Sequence, residues 1–231
     1  MILLQQLNVT SGALVEAATV VPTQETISIL ELFLGGGLYI MIPLVILSVI
    51  AVYIFIERYL AIQKASKSDS NFMNNIKDFI HDGKIDAAKA LCRATDAPTA
   101  RMVEKGVSRI GKPLNDISAA IENVGKLEIY KLEKSLATLA TVAGAAPMIG
   151  FLGTVIGMIF TFHEMKISGN GVEISQLSGG IMQAMVTTVA GLVVGIVAYI
   201  CYNLLVAKVE KVVYKLEVTS IEFMDLLQEP A

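Results

Sequence analysis

Three stretches without Asp, Glu, Lys, Arg or His organise the chain: residues 38–56, 135–162 and 174–207. At about 1.5 Å per helical residue, each is long enough to cross a hydrocarbon core of roughly 30 Å. Pro43 falls in the first turns of the first stretch, where proline costs least. Glu57-Arg58-Tyr59 ends that span, with Tyr59 as an interface aromatic and Arg58 able to snorkel. Between the first and second spans the breakers predict short helices. One covers residues 69–82 and stops at Gly83, a second covers 85–94, and a third starts at Asp96-Ala97-Pro98 and runs to about Ile110. After Gly111-Lys112-Pro113, the apolar positions Ile117, Ala120, Ile121, Val124, Leu127 and Leu132 recur at helical spacing, with Glu128 among them. No Gly or Pro separates this pattern from the second span. It predicts one helix over residues 114–162, about 70 Å long and kinked at Pro147, with Gly144 and Gly150 easing the kink. The third stretch exceeds one span, which implies tilt. The apolar stripe Val209, Val212, Val213, Leu216, Ile221 and Met224 then continues a helix beyond it.

The fold class expected is an all-α membrane protein with three transmembrane helices, two of them extended far into the cytoplasm, and a small helical cytoplasmic region. Basic residues orient it. The loop holds Lys64, Lys67, Lys77, Lys84, Lys89, Arg93, Arg101, Lys105, Arg109 and Lys112, whereas residues 1–37 have no Lys or Arg. The positive-inside rule puts that loop in the cytoplasm. The division is a periplasmic segment 1–37, a span 38–57, a cytoplasmic helical region 58–134, a span 135–162, a periplasmic loop 163–173, a span 174–207 and a cytoplasmic helix 208–231. Residues 26–34 read as a short amphipathic helix at the membrane surface, broken by Gly35-Gly36-Gly37. The start lacks a basic n-region, so a cleaved signal peptide is not expected. Gly169-Asn170-Gly171 reads as a turn and Ser175 as a cap. The orientation expected is that of a multi-pass membrane protein with the N-terminus outside and the C-terminus cytoplasmic.

Composition agrees. A hydrophobic share of 54% and a mean hydropathy of +0.64 are too apolar for a soluble domain of 231 residues. No basic patch points to nucleic acid, and no strand-borne phosphate loop or grouping of nucleophile, base and orienter points to an enzyme. Cys92 and Cys201 read as free thiols, and His81 and His163 do not stand at metal-ligand spacing, so neither a metal nor a cofactor is implied.

The second and third spans each have one small-residue side. Gly150, Gly153, Thr154, Gly157 and Thr161 share a face, opposite Ile149, Leu152, Ile156 and Ile159, which suit lipid. Gly180, Ala184, Thr187 or Thr188, Gly191, Gly195 and Ala198 line a face of the third span. Small residues let helix backbones approach closely. Ala145-Ala146-Pro147-x-x-Gly150-x-x-Gly153-Thr154-Val155-x-Gly157-Met158, followed by Gly180-Ile181-x-x-Ala184-x-x-Thr187-Thr188-x-x-Gly191-Leu192, resembles the ExbB/TolQ/MotA family of proton-channel subunits, its ExbB branch most of all. The resemblance is weaker in the loop and absent before about Leu38.

That resemblance carries channel-lining threonines onto Thr154 and Thr188, with Gln183 and Thr187 as further lining candidates. Thr138 and Thr141 read instead as hydroxyls bonded back to the i−4 carbonyl. The Gln183 amide must face protein or water, because lipid offers it no partner. Many relatives in the family carry Glu where this chain has Gln183, and Pro where it has Val197. A proton path needs a group that holds and releases a proton, and these spans have none. The resemblance therefore implies an ExbD-like single-span partner with an intramembrane Asp, a homo-oligomer (a pentamer) around it, and a TonB-like protein that carries work to the outer membrane for nutrient import. A TolQ-like or gliding-type motor, and a passive membrane scaffold, are the alternatives. A four-span flagellar stator and a solute transporter fit less well.

Overall fold

The computed structural model describes residues 37–66, 71–168 and 174–228. The expected surface helix over residues 26–34 and the turn at residues 169–171 lie outside what it describes, and Ser175, expected as a cap, is the second residue of a helix that starts at Ile174. The described residues fold as helices with no strand: α1 Leu38–Ser66, α2 Phe72–His81, α3 Ile85–Ala94, α4 Pro98–Val107, α5 Leu114–Glu133, α6 Leu136–Ser168 and α7 Ile174–Gln228. Three segments are long and apolar enough to cross a membrane, starting at Leu38, running through α6, and in α7. The chain is an all-α, multi-pass membrane protein.

The span expected to end at Glu57-Arg58-Tyr59 belongs to a longer helix, since α1 continues to Ser66. Two expectations need correction. First, α6 continues through His163 to Ser168, so half of the segment expected as a loop over residues 163–173 is helix. Second, the expected unbroken helix over residues 114–162 is two helices. α5 ends at Glu133, and Ser135 takes the left-handed conformation at φ 68° before α6 begins. The Ser135 carbonyl accepts from the Leu139 N–H at 3.2 Å, starting the new helix.

Arg58 supplies the physical reason the break is tolerated. The last carbonyls of a helix have no partner within it. Arg58 Nη1 donates to the Lys131 carbonyl in the final turn of α5 at 3.2 Å. The guanidinium also places positive charge at the negative end of the α5 dipole. Arg58 is buried and pairs through Nη2 with Glu57, so it does not snorkel to solvent as expected. The α6 helix runs on through Pro147 without interruption.

The loop helices pack against the far part of α7. Ile76, Val103, Ile117, Ile121, Leu216 and Phe223 form one core there, each fully buried. Gly106 is required by that core, since a Cβ would lie 2.5 Å from Phe223 Cε1 and 2.8 Å from Ile121 Cδ1. Cys92 sits inside it, and burial, reinforced by Glu104, pushes its thiol up to about 12, leaving it unreactive.

A polar chain ties α1, α4 and α5 together. Lys64 Nζ meets Asp96 at 2.7 Å, Arg101 meets Asp96 at 3.0 Å and Glu128 at 2.6 Å, and Lys131 meets Glu128 at 2.7 Å. Glu128 is the buried member, which explains a carboxylate on the apolar face of α5. Burial pushes its pKa up, but the hydrogen bonds from Arg101 and Lys131 outweigh burial and hold it below its usual value.

A carboxyl held low in the folded state stabilises fully above its unfolded pKa, and that contribution is lost as pH falls through the folded value. Glu128→Gln should cost about 1–3 kcal/mol at neutral pH, because Arg101 and Lys131 lose a charged partner. It should also flatten the loss of stability below about pH 4.5, the ordinary carboxylate range. Thermal unfolding of the detergent-solubilised protein between pH 3 and pH 7 measures both, and an unchanged acid limb would contradict the assignment.

Candidate functional site

The small-residue stripes meet face to face. A Cβ on Gly191 would lie 2.6 Å from the Ala146 carbonyl oxygen and 2.8 Å from Gly150 Cα. A Cβ on Gly150 would lie 2.8 Å from the Thr187 carbonyl oxygen. Both positions are fixed by main chain, so α6 and α7 touch backbone to backbone here. Above and below, each small residue receives a larger one. Gly157 would place a Cβ 2.8 Å from that of Ala184, Gly195 accommodates the Pro147 ring, and Gly180 accommodates Thr161. Ala184, Thr187, Gly191, Gly195 and Ala198 are all buried.

Hydroxyls line this seam because they satisfy themselves across it. The Thr154 and Thr188 hydroxyls bond each other, one donating and one accepting, and the accepting hydroxyl turns its own proton to a carbonyl across the seam: Gly150 O is 3.1 Å from Thr188 Oγ1 and Ala184 O is 3.3 Å from Thr154 Oγ1. Thr187 Oγ1 donates to the Ala184 carbonyl at 2.6 Å and reaches the Gly150 carbonyl at 3.3 Å. Thr161 and Thr141 bond back to the carbonyls of Gly157 and Ala137, each at 2.9 Å. Gly150 O therefore collects hydroxyls from both edges of the seam.

The two edges differ. Helix α1 covers one of them. A Cβ on Gly153 would lie 2.5 Å from Thr187 Oγ1 and 3.0 Å from Ile40 Cγ2, and Ile40, Met41 and Leu44 pack with Ala146, Ile149 and Ile156. The apolar side of α6 thus divides: Leu152 and Ile159 are exposed, while Ile149 and Ile156 serve α1. Thr154 and Thr188 lie on the other edge, half-buried, about one hundred degrees of helical rotation from Gly153 and Thr187.

The four lining candidates therefore do not share a surface. Thr154 and Thr188 stand together. Thr187 is buried beneath α1 at 2% exposure. Gln183 is exposed and lines, with Gly37, Tyr39, Thr161, Glu164 and Thr187, a polar cavity of about 250 Å³ between α1, α6 and α7. Its amide has the polar surroundings that hydrocarbon would deny it, but on the α1 side. The covering of Gly153 and Thr187 by Ile40 is not visible in helical periodicity, because it depends on where α1 docks. Among the described residues no group of His, Cys, Asp and Glu is placed to hold a metal ion.

The two longest helices of this membrane bundle meet along glycines and carry a pair of hydroxyls on the edge that α1 leaves open. The chain belongs to the MotA/TolQ/ExbB proton channel family, whose profile matches residues 94–218, from the end of α3 through the seam and into the far part of α7. It is 28% identical over 185 residues to the putative biopolymer transport protein ExbB-like 1 of Synechocystis sp., covering 79% of this chain and 72% of that one. A putative biopolymer transport protein ExbB homolog of Methanothermobacter thermautotrophicus is 24% identical over 194 residues, covering 82% of this chain and 67% of that one. The biopolymer transport protein ExbB of Aquifex aeolicus is 40% identical over 96 residues, covering 41% of this chain and 64% of that one.

Gly191→Ala should force α6 and α7 apart, costing about 1–3 kcal/mol as overpacking against main chain. Gly144→Ala, where a Cβ meets open space, should be neutral or stabilise by about 0.5–1 kcal/mol through helix propensity. Melting temperatures of the two purified variants decide this; equal effects would contradict backbone contact at the seam.

Proposed function

We propose that this chain is the wall subunit of a proton-driven motor in the bacterial inner membrane. The observation that carries the reading is the Thr154–Thr188 hydroxyl pair. It stands on the edge that α1 leaves open, in spans that hold no Asp, Glu, Lys, Arg or His. A hydroxyl solvates charge and relays hydrogen bonds but does not itself titrate near neutral pH. The proton carrier is then an acid on a partner, an ExbD-like single-span helix with an intramembrane Asp. Burial alone would raise that Asp's pKa, and hydroxyls bonded to its charged form lower it again.

Several copies of the chain surround the partner, with α6 and α7 towards it and α1 towards lipid. Proton passage rearranges the ring around the partner, and a TonB-like protein takes the work to the outer membrane. The charge pattern supports this orientation. The loop and the start of the α7 extension are basic, which puts them in the cytoplasm with the C-terminus, and the N-terminus in the periplasm. A TolQ-like role uses the same wall, and the identity of the partner separates the two.

Thr154→Val together with Thr188→Val keeps side-chain volume and removes both hydroxyls. Proton-motive-force-dependent transport in cells should fall to background while the complex still assembles, as read by native mass. Full activity in the double variant would overturn the roles given to these residues.

A further inference from the structure

The open edge of the seam continues along α7 into a second feature. Thr188, Leu192, Tyr199, Val206, Glu210 and Glu217 follow each other by 4, 7, 7, 4 and 7 residues, so they keep one side of the helix. At its far end that side forms one wall of a groove of about 760 Å³. The break between α5 and α6 forms the other wall, through Tyr130, Glu133 and Leu136. The groove exists because α5 does not continue straight into α6.

Its chemistry is acidic and aromatic. Glu133, Glu210 and Glu217 line it with Lys134, so three carboxylates face one ammonium. Tyr130, Tyr202 and Tyr214 add aromatic faces, and Tyr130 and Tyr214 are 74% and 68% exposed. None of the three carboxylates makes an ion pair among the described residues. Two of the three lysines on this part of α7 are turned the other way. Lys208 Nζ lies 4.5 Å above the Tyr59 ring and Lys215 Nζ donates to the Ser66 carbonyl at 2.9 Å, both on the α1 side. Helix α7 thus sends Lys208 and Lys215 to α1, and Glu210 and Glu217 into the groove.

The geometry points to this groove as the docking site for a Lys- or Arg-rich segment bearing apolar side chains, the cytoplasmic extension of the single-span partner. It rests on the proposed function, which runs that partner's span along Thr154 and Thr188. From Thr188 to Glu210 is about 33 Å along the axis, so the occupant is chain beyond the span and not the span itself. A single-span protein carries its bases on the cytoplasmic flank, which is where the groove opens. Carboxylates pair those bases, and tyrosine faces attract them.

The test is photocrosslinking in the full-length complex, with benzoylphenylalanine in place of Tyr214 in one preparation and of Thr154 in another. The chain is purified with the single-span protein that accompanies it, and adducts are mapped by mass spectrometry. The expected adduct at position 214 is on the basic segment flanking the partner's span. Glu210→Gln with Glu217→Gln should reduce its yield about fivefold, as two partly exposed ion pairs would. An adduct at 214 with a second copy of this chain overturns the inference, since the groove is then an interface between copies. No adduct at 214 alongside an adduct at 154 with the partner's span overturns it too, and leaves the proposed function standing. No partner adduct at either position removes both. A yield indifferent to the two Gln substitutions overturns recognition by charge.

Discussion

Close contact between the main chains of α6 and α7 is the constraint from which the rest follows. It is set by Gly150 and Gly191, where even a methyl group would overlap a backbone atom. Helices in lipid gain little from excluding water, so they associate through packing and hydrogen bonds. Glycine brings the backbones close enough for side-chain hydroxyls on one helix to reach carbonyls on the other. The Thr154–Thr188 bond, and the nearness of Thr188 Oγ1 to Gly150 O and of Thr154 Oγ1 to Ala184 O, are consequences of that approach. The threonines therefore stabilise the seam and also put oxygen on its open edge. One interaction serves both structure and the proposed chemistry.

The second constraint lies where the spans leave the membrane. A continuous helix over α5 and α6 would close the groove beside α7. The turn at Ser135 opens it, at the cost of a left-handed residue and of a helix end whose last carbonyls have no partner within α5. Arg58 offsets part of that cost by bonding Lys131 O from α1. A residue of α1 just past the first span thus holds the junction between the loop helices and the second span. The chain Lys64, Asp96, Arg101, Glu128 and Lys131 holds the same region from its other side.

Much of this was legible in the residues. Uncharged stretches located the spans, and small residues at helical spacing located the seam, because both signals are local and periodic. Breakers located the loop helices, with α3 at Ile85–Ala94 matching its expected bounds. What periodicity missed was tertiary. Ser135 is neither Gly nor Pro, so nothing local marks its positive φ. Arg58 read as a snorkelling end residue because its partner, the Lys131 carbonyl, lies 73 residues away. Glu128 on an apolar stripe was the one visible sign of the buried polar chain. Gln183 and Thr187 joined Thr154 and Thr188 as further lining candidates because nothing in the residues marks which edge α1 covers.

The central claim is that this chain builds a hydroxyl-bearing wall but lends no proton carrier of its own. Proton flux into liposomes under an imposed potential tests it most directly, with the purified chain alone compared with the chain reconstituted beside the proposed single-span partner. The account predicts that the chain alone is indistinguishable from empty liposomes and that flux appears only with the partner. Flux through the chain alone, equal to that of the complex, would contradict it.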